Sequence, residues 1–189
     1  MRTILLSLLL LVATGAFAQS ADKLYEEGKK LYDAKNYAAA IQKLKPAAEK
    51  GHKKAQYRLG RCYDKGNGVE ENDNLAFQWY QKSALQDYAK AQYQLGKCYK
   101  NGEGVEKDRK IAAEWFLKAA KQDNANAQLA LAKAYMKGKG VTASQPEAKK
   151  WLKKAVTHPK DGKKILSELK QERADGDEDA KALLNLIGK

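Results

Sequence analysis

Residues 91–126 read AQYQLGKCYKNGEGVEKDRKIAAEWFLKAAKQDNAN, and this stretch decides the fold because it has a copy on either side. The same pattern begins 36 residues earlier at Ala55 and 36 residues later at Ala127. The tryptophans keep that spacing, at Trp79, Trp115 and Trp151. A fixed period of this length predicts a stacked array of helical repeats rather than a single globular core.

Each copy predicts two helices separated by a glycine-containing loop. The first, called helix A, carries an interior small residue: Gly60, Gly96 or Ala132. A glycine pair and a valine follow, and one glycine of each pair is expected to end helix A in the left-handed region: Gly66/Gly68, Gly102/Gly104 and Gly138/Gly140. The second helix, helix B, is expected to begin at a capping residue: Asn72, Asp108 or Ser144. The tryptophans of helix B, including Trp115, are expected to be buried.

This combination of motifs is similar to the Sel-one-like repeat, a longer-looped relative of the tetratricopeptide repeat. The resemblance covers Ala55 to about Gly162 in three copies, and the stretch before it resembles one tetratricopeptide repeat. In that first repeat, Gly28 lies in mid-helix, which predicts the close approach of a second helix. The resemblance implies an all-α fold, a right-handed α-solenoid of antiparallel helix pairs.

The expected organisation follows from the repeat boundaries. A signal peptide is placed at 1–18, a tetratricopeptide-like repeat at 19–54 and a degenerate helical cap at 163–189. The Sel-one-like repeats occupy 55–90, 91–126 and 127–162. A terminal cap of altered sequence is what a repeat array needs to cover its last apolar face.

The first residues read as an export signal. Arg2 precedes the apolar run Ile4 to Ala13, and Ala16-Phe17-Ala18 has the small-x-small form of a cleavage site. Ten apolar residues are too few for a full membrane span, which disfavours an uncleaved anchor. The mature chain is therefore expected to be periplasmic or secreted, with no transmembrane segment.

Cysteine-rich exported members of the resembled family carry two cysteines per repeat, which join helix A to helix B. Here Cys62 and Cys98 stand one per repeat, at equivalent places, so that pairing does not carry over. We expect two buried thiols. The spacing of cysteines and histidines fits no metal site, and no metal or cofactor is expected.

Two columns of helix A point to binding. Aligned on Gly28, Gly60, Gly96 and Ala132, the residue three positions earlier is aromatic in three repeats: Tyr25, Tyr57 and Tyr93. The residue just after is basic in all four: Lys29, Arg61, Lys97 and Lys133. Columns one turn apart share a helix face, which lines the concave groove in tetratricopeptide-type arrays. The tyrosines also suit packing between helices, and solvated lysines are common on exposed helices.

The chain carries 36 lysines and arginines against 23 acidic residues, a net charge of +13. Such a balance favours an acidic partner or an anionic surface, whereas an exported chain without a recognition motif argues against nucleic acid. The sequence predicts a non-enzymatic module that binds a protein or peptide through its concave face. An accessory factor held on an anionic envelope surface by its basic face is one alternative.

An enzyme acting on envelope polymer, or binding β-lactams, is a second alternative. Ser20 and Ser167 each open a Ser-x-x-Lys string, but the companion motifs of penicillin-recognising enzymes are missing from the sequence. His52 and His158 are the only histidines, and neither has a nucleophile at a matching position. No catalytic residue is therefore assigned.

Overall fold

The computed structural model describes residues 20–189, and every regular element within that range is an α-helix. The predicted signal peptide lies outside the described residues. The helices divide into two compact units, one ending at Gln86 and the other spanning Asp87–Lys189. In the described part of the chain, no helix is long and apolar enough to cross a membrane.

The first unit contains two helix pairs: α1 (20–33), α2 (Tyr37–Glu49), α3 (Lys53–Lys65) and α4 (Asp73–Ala84). Helices α1 and α2 meet at Gly28, where an added Cβ would lie 2.8 Å from the side chain of Leu44. Gly60 of α3 faces the ring of Tyr80 in the same manner, also at 2.8 Å. The close approach predicted at Gly28 is confirmed.

The second unit contains six helices: α5 (Ala89–Asn101), α6 (Arg109–Lys121), α7 (Ala125–Lys137), α8 (Gln145–Thr157), α9 (Gly162–Ala174) and α10 (Glu178–Leu186). An added Cβ on Gly96 of α5 would lie 2.6 Å from the ring of Phe116 on α6. The next pair carries Ala132 and Leu152 at the equivalent places, and both are buried. Helices α9 and α10 add Ile165 and Leu183 to the same core.

The loop and cap predictions are confirmed. Gly66, Gly102 and Gly138 end α3, α5 and α7 in the left-handed region, with φ of 61°, 84° and 63°. The side chains of Asn72, Asp108 and Ser144 accept hydrogen bonds from the first turns of α4, α6 and α8. Because these groups satisfy otherwise unpaired backbone N–H groups, each contributes about 1 kcal/mol to helix stability.

Buried glutamines of helix A form hydrogen bonds with residues outside their own helix. The Gln56 amide nitrogen donates to the carbonyl oxygen of Ala48, and its Oε1 accepts from Gln86 at 2.8 Å. Gln122 donates to Gln92 in the same way, also at 2.8 Å. These contacts satisfy polar groups inside a core that is otherwise apolar.

The expected burial of the tryptophans is wrong for two of the three. Trp79 and Trp115 are half-buried, and lysine ammonium groups lie over their rings at 4.4 Å (Lys82) and 4.1 Å (Lys118). Trp151 alone is buried, with 6% of its surface exposed. Truncating a half-buried tryptophan should cost less stability than truncating a core residue, because folding removes less of its apolar surface from water.

The contact of Gly96 with Phe116 gives a stability prediction. Gly96→Ala should destabilise the chain, because the overpacking cost of roughly 1–3 kcal/mol exceeds the gain of about 1 kcal/mol in helix propensity. Adding Phe116→Leu reproduces the Ala132 and Leu152 pair and should recover part of the loss. Denaturant unfolding of the single and double variants measures both effects. A Gly96→Ala chain more stable than the wild type would contradict the close approach.

Candidate functional site

A cleft of about 460 Å³ lies within the second unit, between α5, α6 and α7. Its floor is apolar, formed by Phe116 and Ala113 of α6 and by Leu129 and Ala130 of α7. Phe116 is held in place by Gly96, so the packing of helix A on helix B also shapes the cleft. The wall next to it is the ring of Tyr93, whose centroid lies 5.8 Å from that of Phe116.

The rim of the cleft is strongly basic. Its charged lining comprises six cationic side chains and one carboxylate: Lys100, Lys107, Arg109, Lys133, Lys137, Lys139 and Asp179. Two asparagines, Asn101 and Asn126, lie beside them and add amide donors and acceptors. An apolar floor with convergent charged groups of one sign is the arrangement expected of a binding site for an amphipathic anionic ligand.

Two of the six cations are paired with the C-terminal cap. The Lys133 ammonium lies 3.5 Å from a carboxylate oxygen of Glu172 on α9. Lys137 pairs with Asp179 of α10. Asp177, which caps α10 by accepting from the N–H of Ala180, has its pKa lowered by that hydrogen bond and further by Lys133 and Lys137. The cap therefore places carboxylates beside two lysines of the basic rim.

Lys100 is a lysine of the rim whose pKa is lowered by its surroundings. Its pKa is lowered by partial burial and then by the neighbouring ammonium groups of Lys97, Lys133 and Lys139, with Glu103 opposing them weakly. A lysine in this position is more stable in its charged form when an anion is close. The side chain is thus poised to favour a negatively charged ligand.

Of the residues predicted on helix A, the second unit brings Tyr93 and Lys133 together in the cleft. Lys97 lies one turn from Lys100 on the same helix and adds to the positive potential there. Leu129, which takes the tyrosine position in the last repeat, forms part of the floor. Both predicted columns therefore contribute to this cleft.

In the first unit, the predicted residues lie in different surroundings. Arg61 is half-buried and interacts with Tyr57, whose ring centroid lies 6.0 Å from that of Tyr80. Lys29 forms an ion pair of 3.6 Å with Glu26 of its own helix. These side chains remain partly accessible.

Tyr25 is the exception among the predicted tyrosines. It is 7% exposed, and its ring stacks on His52 with the centroids 4.2 Å apart. Because the ring is covered, Tyr25 packs the junction of α1 with α3 and offers no surface to a partner.

The cleft also contains residues that the sequence analysis missed: Lys100, Lys107, Arg109, Lys137 and Lys139. Alignment of the repeats cannot reveal most of them, since they do not recur as basic residues at equivalent positions. For example, Asp64 and Met136 stand where Lys100 stands in its own repeat. Helical spacing could have identified two of them, because Lys100 and Lys137 follow the predicted residues Lys97 and Lys133 by about one turn.

The histidines and the serine considered for the alternative of an enzyme lie at helix ends or on the surface. His52 and His158 each accept a hydrogen bond through Nδ1 from a backbone N–H, at 3.1 Å in both cases. His52 caps α3 in this way, whereas His158 bonds to Asp161 in the turn before α9. Ser167 is exposed on α9. Within residues 20–189, no cluster of three His, Cys, Asp or Glu side chains is placed to hold a metal ion.

These helix pairs, with left-handed glycines and a small residue of one helix facing a large residue of the next, define a helical-repeat protein of the solenoid class. The Sel1 repeat family model matches residues 53–88, 89–124 and 125–158, more than half of the chain. The chain belongs to the Sel1 repeat family, which confirms both the resemblance and the predicted all-α fold class. Proteins of this family are commonly protein-interaction scaffolds.

Solved structures agree with this assignment. A Sel1 repeat protein from Oxalobacter formigenes matches with 31% identity and a TM-score of 0.69, covering 82% of this chain and 72% of its own. A protective antigen with an SLR fold from uropathogenic Escherichia coli has 32% identity and a TM-score of 0.71. The match covers 80% of this chain and 33% of the antigen. Cysteine-rich protein B of Helicobacter pylori has 25% identity and a TM-score of 0.52. The match covers 65% of this chain and 93% of the Helicobacter pylori protein.

The chain thus spans only a third of the E. coli antigen. Comparison with curated protein sequences gives no match. In contrast to a cysteine-rich chain, this one has only the buried thiols Cys62 and Cys98.

The crowding of cations gives a second prediction. Lys100→Met should raise the melting temperature slightly at neutral pH and low salt, because it removes a charge that the fold disfavours. The lowered pKa means that this cost is fully present below the folded-state pKa and is relieved as pH rises towards the ordinary value of 10.5. Thermal melts at pH 7 and pH 10, with and without about 1 M salt, test this. A variant less stable than the wild type at pH 7 and low salt would be contrary to it.

Cys62 gives a third prediction, since burial raises the pKa of its thiol to about 11. The thiolate is the reactive form, so on the order of one thiol in a thousand is ionised at pH 8. In a Cys98→Ser chain, alkylation of Cys62 by iodoacetamide should be slow in the native state and fast in guanidinium. Equal rates in the two states would show that the thiol is accessible.

Proposed function

We propose that the chain is an exported, non-enzymatic scaffold that binds a protein or peptide through the helix-A face of its repeats. Export rests on the signal-like pattern of residues 1–18. The binding residues we assign are Lys29, Arg61, Lys97, Lys133, Tyr57 and Tyr93, without the covered Tyr25. Membership of a family rich in interaction scaffolds supports the general class of function.

The observation that carries this proposal is the cleft of the second unit. Tyr93 and Lys133, chosen from two separate sequence columns, line one cavity of about 460 Å³. Packing alone accounts for Phe116 under Tyr93, but it gives no reason for six cations to gather around an apolar floor. A partner that supplies opposite charges removes that repulsion on binding, and this favours the complex.

A non-enzymatic role agrees with the side chains present. Both histidines accept backbone hydrogen bonds through Nδ1, and among the described residues neither forms a hydrogen bond with the exposed Ser167. Nucleophilic catalysis needs a base within hydrogen-bond distance of the nucleophile. We therefore favour binding over the alternative of an enzyme acting on envelope polymer.

The accessory-factor alternative depends on a different surface. Lys149, Lys150, Lys153 and Lys154 are all exposed on α8, outside the residues that line the cleft. Lys150 is paired with Glu147, and Lys150 and Lys154 both lie over the ring of Trp151. The two surfaces can be separated by substitution, because neither shares a residue with the other.

The test is partner capture with two charge-matched variants. Lys97→Glu with Lys100→Glu should lower capture of a partner from an extract of the producing organism by on the order of tenfold or more, because two attractive contacts become repulsive. Lys149→Glu with Lys153→Glu changes the net charge equally and should leave capture unchanged. Quantitative mass spectrometry of the bound fraction provides the measurement.

The opposite pattern would favour the accessory-factor alternative. If the α8 variant loses capture while the cleft variant retains it, the helix-A face is not the binding surface. Circular dichroism of both variants controls for unfolding.

A further inference from the structure

The cleft holds more positive charge than the fold neutralises. Among the described residues, no carboxylate lies within ion-pair distance of Lys100, Lys107, Arg109 or Lys139, although all four line the cleft. Lys133 and Lys137 already have partners in Glu172 and Asp179. Four cations around one cavity therefore remain available for anions from outside the chain.

The two pairs that exist show which anion this rim accepts. In both, a carboxylate on a helical side chain reaches a lysine of α7 from the C-terminal cap. The rim thus already accommodates side-chain carboxylates of the chain itself. Carboxylates supplied by another chain can pair with the four remaining cations in the same way.

The floor adds a second requirement. Leu129 and Ala130 are only partly buried and present an apolar surface beneath the charged rim, with the buried ring of Phe116 packed behind them. A ligand made only of charged groups leaves this apolar surface exposed to water. An apolar side chain that covers it stabilises the complex by about 25 cal/mol for each Å² of apolar surface removed from water. The cavity is large enough for a side chain of this kind.

We propose that this cleft binds an acidic peptide segment of a partner protein, with one aromatic or large aliphatic side chain on the floor and carboxylates on both sides of it. Lys100, Lys107, Arg109 and Lys139 hold these carboxylates. The inference rests on the proposed function and names the chemistry of the partner at the same site. Asn126 at the rim can bond to the backbone of the peptide, whereas the Asn101 amide already donates to Glu103 at 2.8 Å.

A synthetic probe tests the proposal with the full chain. The probe is a fluorescein-labelled peptide with a central phenylalanine flanked by two glutamates on each side, and its affinity is measured by fluorescence anisotropy. The control peptides replace the glutamates by glutamine or the phenylalanine by alanine. We expect binding of the first peptide, at least tenfold weaker binding of the glutamine peptide and several-fold weaker binding of the alanine peptide.

Matched variants test whether the probe binds in the cleft. Arg109→Glu with Lys139→Glu should weaken the peptide at least tenfold, whereas Lys149→Glu with Lys153→Glu should change its affinity less than twofold. Asp179→Asn should tighten binding, because it removes the one carboxylate that lines the cleft. Melting temperatures confirm that each variant is folded, and Lys139 is exposed in a loop, where substitution disturbs no packing.

Three results would overturn the inference. One is equal affinity for the glutamate and glutamine peptides. Another is loss of binding in the α8 variant rather than in the cleft variant. The third is inorganic polyphosphate that binds through Arg109 and Lys139 while the peptide does not, which would assign the site to phosphate polyanions. Failure of the peptide together with partner capture that still depends on Lys97 and Lys100 would reject the acidic segment and leave the proposed function standing.

Discussion

The close approach of two helices at a glycine is the contact on which the rest of this structure depends. At Gly28, Gly60 and Gly96, a single added carbon would meet the facing side chain within 3 Å. With no side chain there, a large residue of helix B can lie directly on the backbone of helix A. Phe116 shows the consequence, since the ring seated on Gly96 also forms part of the cleft floor. The packing that stabilises the repeat therefore also builds the binding surface.

The positive charges around the cleft of the second unit lower the stability of the fold and at the same time favour the binding of an anion. Six cations line one cleft, and the pKa of Lys100 is lowered first by partial burial and then by the neighbouring ammonium groups. The terminal cap offsets part of this positive charge through Glu172 and Asp179. Because the acids of the cap reach only Lys133 and Lys137, the remaining cations keep their attraction for an external anion. Natural proteins commonly accept such local instability where a ligand completes the charge balance.

The sequence predicted much of the fold, for reasons that are local. The left-handed glycines, the caps at Asn72, Asp108 and Ser144 and the close approach at Gly28 follow from backbone sterics and unpaired N–H groups. Burial of Trp115 was predicted wrongly, because a recurring large residue signals contact without showing how much of its ring that contact covers. The site was predicted in part: Tyr93 and Lys133 line the cleft, whereas Tyr25 is covered by His52.

By itself, the sequence determined the period, the helix ends and the pairing of each small residue with a large one, because these depend on positions close in the chain and repeated along it. The tertiary structure decided which cations share a cavity. Lys107 and Lys139 come from loops, Arg109 from the start of α6, and the carboxylates of Glu172 and Asp179 from the cap. These residues occupy unlike positions in their repeats, so only the packing of the helices brings their charges together, where distance determines the strength of their interaction.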